Sequence, residues 1–157
     1  MMFKPVLVAA LLLPVAAFAE CKPVVSGDLA ISAPWSRATI GASRPAVFYV
    51  DITNTGTKDD ALTGIASPIA EMPMLHETLV KDGVASMPHV TSIPVPAGGN
   101  LRLAPRGYHG MLMGVTAALK QGDSFPVTLT FQNGGAVTVD VPVLPLRAEG
   151  SECAAAP

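Results

Sequence analysis

The sequence is poor in charge, in aromatic rings and in cysteine, and each shortage removes a class of function. Charged residues make up 14% of the chain and the formal net charge is −2. With no basic run and no interleaving of Arg or Lys with aromatics, nucleic acid and anionic membrane surfaces are excluded as partners. No Gly-x-Ser-x-Gly or comparable nucleophile context surrounds any serine, which removes the hydrolase reading; the chain is read as a non-enzyme. Only two cysteines occur, Cys21 and Cys153, and no Cys-x-x-Cys. In an oxidising compartment their simplest reading is a disulfide that staples the ends of the domain, the rival being a pair of metal-binding or redox thiols.

Long apolar runs are missing too, except at the start. Lys4 precedes an uncharged stretch over 6–18, and Ala17-Phe18-Ala19 reads as a small-x-small cleavage site. The run is short for a membrane span and reads as a cleaved secretory signal over 1–19, with one mature domain over 20–157. A lipoprotein is the weaker reading, because Glu20 is a poor residue to precede a lipidated Cys21. The expected location is the periplasm.

What the mature chain does have is Gly, Pro, Thr and Val in short alternating runs between turn clusters. That pattern predicts an antiparallel Greek-key β-sandwich of seven to nine strands. The expected strands cover 29–33, 46–53, 61–67, 72–79, 84–90, 100–103, 110–115, 125–131 and 136–143. Only 116–120 offers a single helical turn. Gln132-Asn133-Gly134-Gly135 and Lys81-Asp82-Gly83 are hairpin signals.

The three histidines, His76, His89 and His109, and the five mature methionines, Met72, Met74, Met87, Met111 and Met113, all fall between residues 72 and 113. If Asp82-Gly83 form a two-residue turn, His76 faces His89 and lies diagonal to Met87. A four-residue loop over 80–83 would set His76 directly against Met87 instead. Either way His76 and Met87 share a face, because side chains alternate along a strand; a three-residue loop would break this parity unless a bulge restored it. On the second segment His109, Met111 and Met113 point one way and Leu112 the other. Two imidazoles and two thioethers suit Cu(I), a soft ion that tolerates tetrahedral geometry. Zinc prefers thiolate, imidazole or carboxylate, and calcium prefers oxygen. Met72, Met74 and Met113 read as packing or surface residues, and His89 stays open because Pro88 can bend its strand.

The spacing His76-x10-Met87-x21-His109-x-Met111 resembles the metal motif of the periplasmic copper chaperone family PCuAC. Ala33-Pro34-Trp35-Ser36-Arg37 and the stretch from Pro105 to Gly114 resemble its flanking segments. The resemblance implies a cupredoxin-like sandwich with His76, Met87, His109 and Met111 holding one Cu(I). It further implies a monomeric carrier that hands copper to a cytochrome oxidase copper-site subunit (CuA or CuB) or to another periplasmic copper chaperone. Thr78 stands where many members place a further Met, and the tail over 147–157 has no His or Met for a second site. Two rival readings are a copper buffer or resistance protein without a dedicated acceptor, and a sandwich assembly module that binds no metal.

Overall fold

A computed structural model describes residues 21–151 and 153. The expected signal segment 1–19 lies outside the described residues, as does Glu20, the expected start of the mature domain. All regular structure among them is strand: β1 Val24–Ser26, β2 Leu29–Arg37, β3 Ala46–Asn54, β4 Asp60–Ala66, β5 Ala70–Glu77, β6 Leu79–Lys81, β7 Val84–Ser86, β8 His89–Val90, β9 Ile93–Val95, β10 Asn100–Leu103, β11 Tyr108–Val115, β12 Ser124–Phe131 and β13 Gly135–Leu144.

Two layers result. One runs β8, β5, β11, β10, β3, β2, with β1 folded back on β2; the other runs β13, β12, β4, β9. They are joined where the end of β13 pairs in parallel with the end of β2, Val143 with Ser36 and Leu144 with Arg37. Consecutive strands such as β3 and β4, or β11 and β12, sit in different layers, as the Greek-key expectation required.

Period-two alternation fills the space between the layers. Ala46, Phe48, Val50 and Ile52 of β3 face Val127, Leu129, Val139 and Val141 from the opposite layer, all buried. On the other side of β3, Tyr49 stacks on Trp35 with ring centroids 4.5 Å apart. The Arg37 guanidinium lies 5.6 Å from the Trp35 ring centre and donates from Nε to the Ala148 carbonyl at 2.7 Å. Such a stack covers a second apolar surface that a simple inside/outside pattern would leave to water.

Three expectations are corrected. The residues 116–120 make no helical turn, because their backbone groups are engaged elsewhere. Thr116 N–H reaches the Ile69 carbonyl, and Leu119 and Thr39 bond each other, leaving no local ladder to close. Strand segments among the described residues number thirteen rather than seven to nine, since the expected strands 72–79 and 84–90 are each cut in two, at Thr78 and at Met87-Pro88, and β1 and β9 lie outside the expected set. Finally, β2 extends past residue 33: Ala33 takes a left-handed φ of 48° at a register shift between Ser32 and Trp35, and this bulge lets the strand continue through Pro34.

Cys21 and Cys153 are joined in a disulfide across 132 residues of sequence, as the first of the two cysteine readings expected.

Candidate metal centre

The site is built on β5 and β11. These strands run antiparallel with His109 opposite His76, Met111 opposite Met74 and Met113 opposite Met72. Residues directly opposed across a ladder share a face, so these six side chains form a block of two imidazoles and four thioethers. Leu75 and Leu112, one residue out of phase, are buried in the core on the other face. Leu112 therefore points away from Met111 and Met113, as alternation predicted.

Gly110 explains how close β11 comes to the core. A Cβ built there would stand 2.8 Å from Ile65 Cδ1 and 3.0 Å from Phe48 Cδ1. Only hydrogen fits, so His109 and Met111 flank a point where the strand presses onto the opposite layer.

The edge of the block is set by a hairpin. Leu79, Val80 and Lys81 pair with Ser86, Ala85 and Val84 across Asp82-Gly83, both with positive φ (52° and 79°). This is the two-residue turn, and its register continues past Met87-Pro88 to place His89 opposite His76. Of the two registers open in the sequence, the structure adopts the first. Met87 lies diagonal to His76, and its side chain is largely exposed.

Each imidazole is oriented by its Nδ1. His76 Nδ1 bonds the Met87 carbonyl at 2.9 Å, His109 Nδ1 the Gly107 carbonyl at 3.0 Å and His89 Nδ1 the Leu75 carbonyl at 3.0 Å. A carbonyl only accepts, so the proton must sit on Nδ1, and in the neutral ring the lone pair is then on Nε2. That is the arrangement in which imidazoles meet metals, their second nitrogen held by a hydrogen bond. His109 is buried, only 5% exposed. His76 Nε2 is shielded from solvent and has no hydrogen-bond partner, a costly state for an acceptor unless a cation or donor meets it. The Gly107 carbonyl also accepts Thr78 N–H at 3.1 Å, so one oxygen fixes both the His109 ring and the end of β5.

Rings of His76 and His109 are stacked with centroids 5.9 Å apart, and those of His76 and His89 meet edge-on, also at 5.9 Å. Among the described residues, no three His, Cys, Asp or Glu groups converge to hold one ion. The further side-chain donors on this face are thioether sulfurs, which suit soft ions. Nearby, Tyr108 stands opposite Glu77, and its phenol is pushed above its ordinary pKa by burial first and by the Glu77 carboxylate second.

The structure thus brings His76, His109 and Met111 onto one face and sets Met87 at its edge. Met74, which the sequence reads as a packing or surface residue, stands directly opposite Met111.

A family model described as "Putative lipoprotein LpqE-like" matches residues 29–143. The chain belongs to this LpqE-like family. A relative, "Putative lipoprotein Lxx21020" of Leifsonia xyli subsp. xyli (strain CTCB07), is 40% identical over 114 residues, which is 72% of this chain and 68% of the relative. Among solved structures, the copper-bound PCuAC domain from PmoF2 superposes with a TM-score of 0.67 at 24% identity, covering 78% of this chain and 97% of that one. The Cu(I) form of DR1885 from Deinococcus radiodurans gives a TM-score of 0.59 at 30% identity, covering 80% and 83%. The fold is accordingly the cupredoxin-like β-sandwich of PCuAC domains.

Proposed function

We propose that this LpqE-like protein is an exported Cu(I) carrier that holds one ion through His76, Met87, His109 and Met111 and releases it by ligand exchange. The observation that carries the reading is the His76/His109 pair, with both Nδ1 atoms tied to backbone carbonyls and the His76 Nε2 buried without a partner on the face that also carries Met74 and Met111. Thioethers bind without losing a proton and cannot be disarmed by disulfide formation, which suits a soft-metal site in an oxidising compartment. Two solved neighbours are copper-bound forms, one of them Cu(I) at 30% identity.

Nothing in this function requires a bond in a substrate to break. The protein's work is to hold the ion tightly enough to deny free copper and loosely enough to give it up. The acceptor is proposed to be a cytochrome oxidase copper-site subunit or another periplasmic copper chaperone, on the family resemblance. Export is proposed from the charged and apolar residues of 1–19. The lipoprotein names of the relatives fit this chain less well, since the Cys21 sulfur is bonded to Cys153 and so is not available for a thioether to lipid.

Anaerobic Cu(I) titration combined with X-ray absorption tests the reading. One copper per chain is expected, with nitrogen and sulfur neighbours together, and both His76→Ala and Met111→Ala should weaken binding. Equal melting temperatures with and without copper would favour a module that binds no metal, since tight binding must stabilise the native state. Impaired oxidase assembly in a deletion strain, rather than copper sensitivity, separates a carrier from a buffer.

A further inference from the structure

His89 belongs to none of the four positions above, yet its placement is not that of an incidental surface histidine. It stands opposite His76, just as His109 does on the other side, so three imidazoles cross β11, β5 and β8 in one row on one face. The row has a direction. His109 is buried, His76 half-buried and His89 exposed, and β8 is the outermost strand of its layer. All three rings spend Nδ1 on a backbone carbonyl and leave Nε2 open.

The rings do not converge on a common centre. They make two adjacent pairs that share His76, each pair with centroids 5.9 Å apart. Thioethers flank both pairs. Met111 and Met74 lie two residues from His109 and His76 toward the interior of the ladder, whereas Met87 precedes His89 by two and so shares its face at the edge.

We propose that His89 and His76, with Met87, form a second, outer copper seat, and that the ion passes to it from the inner position, where His109 and Met111 complete the four ligands, on its way to an acceptor. This rests on the Cu(I) reading above. His76 and Met87 stay bound throughout, so moving outward exchanges the His109 imidazole for that of His89 and gives up the Met111 sulfur. Three donors still hold the ion while it crosses from a buried position to one that an acceptor's ligands can reach, and the fourth place is left for the acceptor. A carrier lacking the outer seat would have to release copper directly from the buried one.

The alternative is structural: His89 merely caps the Leu75 carbonyl through Nδ1. Asparagine separates the two, because its side-chain amide can reproduce the Nδ1 donor and not the Nε2 acceptor. The protein is loaded anaerobically with one equivalent of Cu(I). Equilibrium affinity is measured by competition, and the rate of copper transfer to a bathocuproine chelator by its colour. Because exchange rates and affinities can move independently, His89→Ala and His89→Asn should each keep Cu(I) affinity within about threefold of the parent and slow transfer by about tenfold or more. His89→Met, which restores a soft donor at the edge, should recover most of the rate.

Transfer at the parent rate in His89→Asn overturns the outer seat, as does an affinity loss in His89→Ala equal to that of His76→Ala, which would make His89 a simultaneous ligand. These outcomes leave the Cu(I) reading intact so long as His76→Ala loses binding. If the parent and His76→Ala bind copper equally poorly, the Cu(I) reading itself falls and the outer seat with it.

Discussion

His76 donates a hydrogen bond from Nδ1 to the Met87 carbonyl at 2.9 Å, so the backbone of one proposed ligand orients the ring of another. The two contributions of Met87 can be separated, because a substitution to leucine keeps the carbonyl and removes the sulfur. Met87→Leu should therefore leave His76 aimed correctly and weaken Cu(I) about tenfold, near 1.4 kcal/mol for a lost thioether in a largely exposed position. His76→Ala removes the ring shared by every plausible donor set and should cost about a hundredfold or more. A competition titration reads both. Equal losses in the two variants would refute this separation, because Met87→Leu keeps both the ring and the carbonyl that aims it.

Met74 and Met111 stand directly opposed, and either thioether is placed to serve the inner position. Leucine conserves volume and apolar character, so stability should change by less than about 1.5 kcal/mol in Met74→Leu or Met111→Leu. Copper affinity should respond unequally, with Met111→Leu the larger single effect. The double variant should lose more than the sum, because each sulfur partly covers for the other. Strict additivity in a double-mutant cycle would assign Met74 to packing, as the sequence first suggested.

Much of the architecture could be read from alternation alone. Strands β3, β10, β12 and β13 show their buried faces as every second residue, and β10 matches its expected bounds of 100–103. What alternation missed has local causes. Pro94 hides β9, yet Ile93 and Val95 are buried, and a proline is tolerated because β9 is an edge strand. Strand β1 is three residues long and depends on Gly27, with φ of 58°, to fold back on β2. At the site, parity placed His76 with Met87 and His109 with Met111. Which strands lie side by side is a tertiary fact, and so the pairing of His76 with His109, and of Met74 with Met111, was not legible. Turn chemistry left two registers for His76, and the positive φ at both Asp82 and Gly83 chooses between them.

Gly110 offers a test of how the site strand is held. Its missing Cβ would lie 2.8 Å from Ile65 Cδ1 and 3.1 Å from Phe48 Cβ, in a core without slack. Gly110→Ala should cost about 1–3 kcal/mol from overpacking, and should also shift β11 enough to weaken copper binding. Gly64 is the control: a strand glycine with nothing within 4 Å of its would-be Cβ. Gly64→Ala should be neutral or stabilising by about 0.5–1 kcal/mol. Denaturant unfolding of both variants decides, and equal stabilities would refute the packing account.

Asp51 should leave a mark on the acid side of the stability profile. Burial pushes its carboxyl above the ordinary value, and the Arg102 guanidinium, with Nε 3.1 Å from Oδ1, draws it part of the way back. A carboxyl raised on folding contributes stability that is fully present below its unfolded pKa of about 3.9 and is lost as pH climbs through the folded value. In Asp51→Asn that loss is absent. The melting temperature of the variant relative to the parent should therefore rise between about pH 4 and pH 7. A difference that stays constant over the window would mean that Asp51 titrates as it does in the unfolded chain.

The disulfide gives the last separation, between holding the fold and holding metal. Cys21 and Cys153 close a loop of 132 residues, which in the chain-entropy picture stabilises by about 4–5 kcal/mol, an upper bound. Cys21→Ser with Cys153→Ser should lower the melting temperature markedly while leaving Cu(I) stoichiometry at one, because neither cysteine lies on β5, β8 or β11. Thiol ligation makes the opposite forecast. Under it, reduction of the parent would free two soft donors and raise copper uptake above one equivalent, and the serine variant would lose that gain. Stoichiometry measured in the reduced parent and in the double serine variant thus distinguishes a structural staple from a second copper-binding element, independently of how far stability falls.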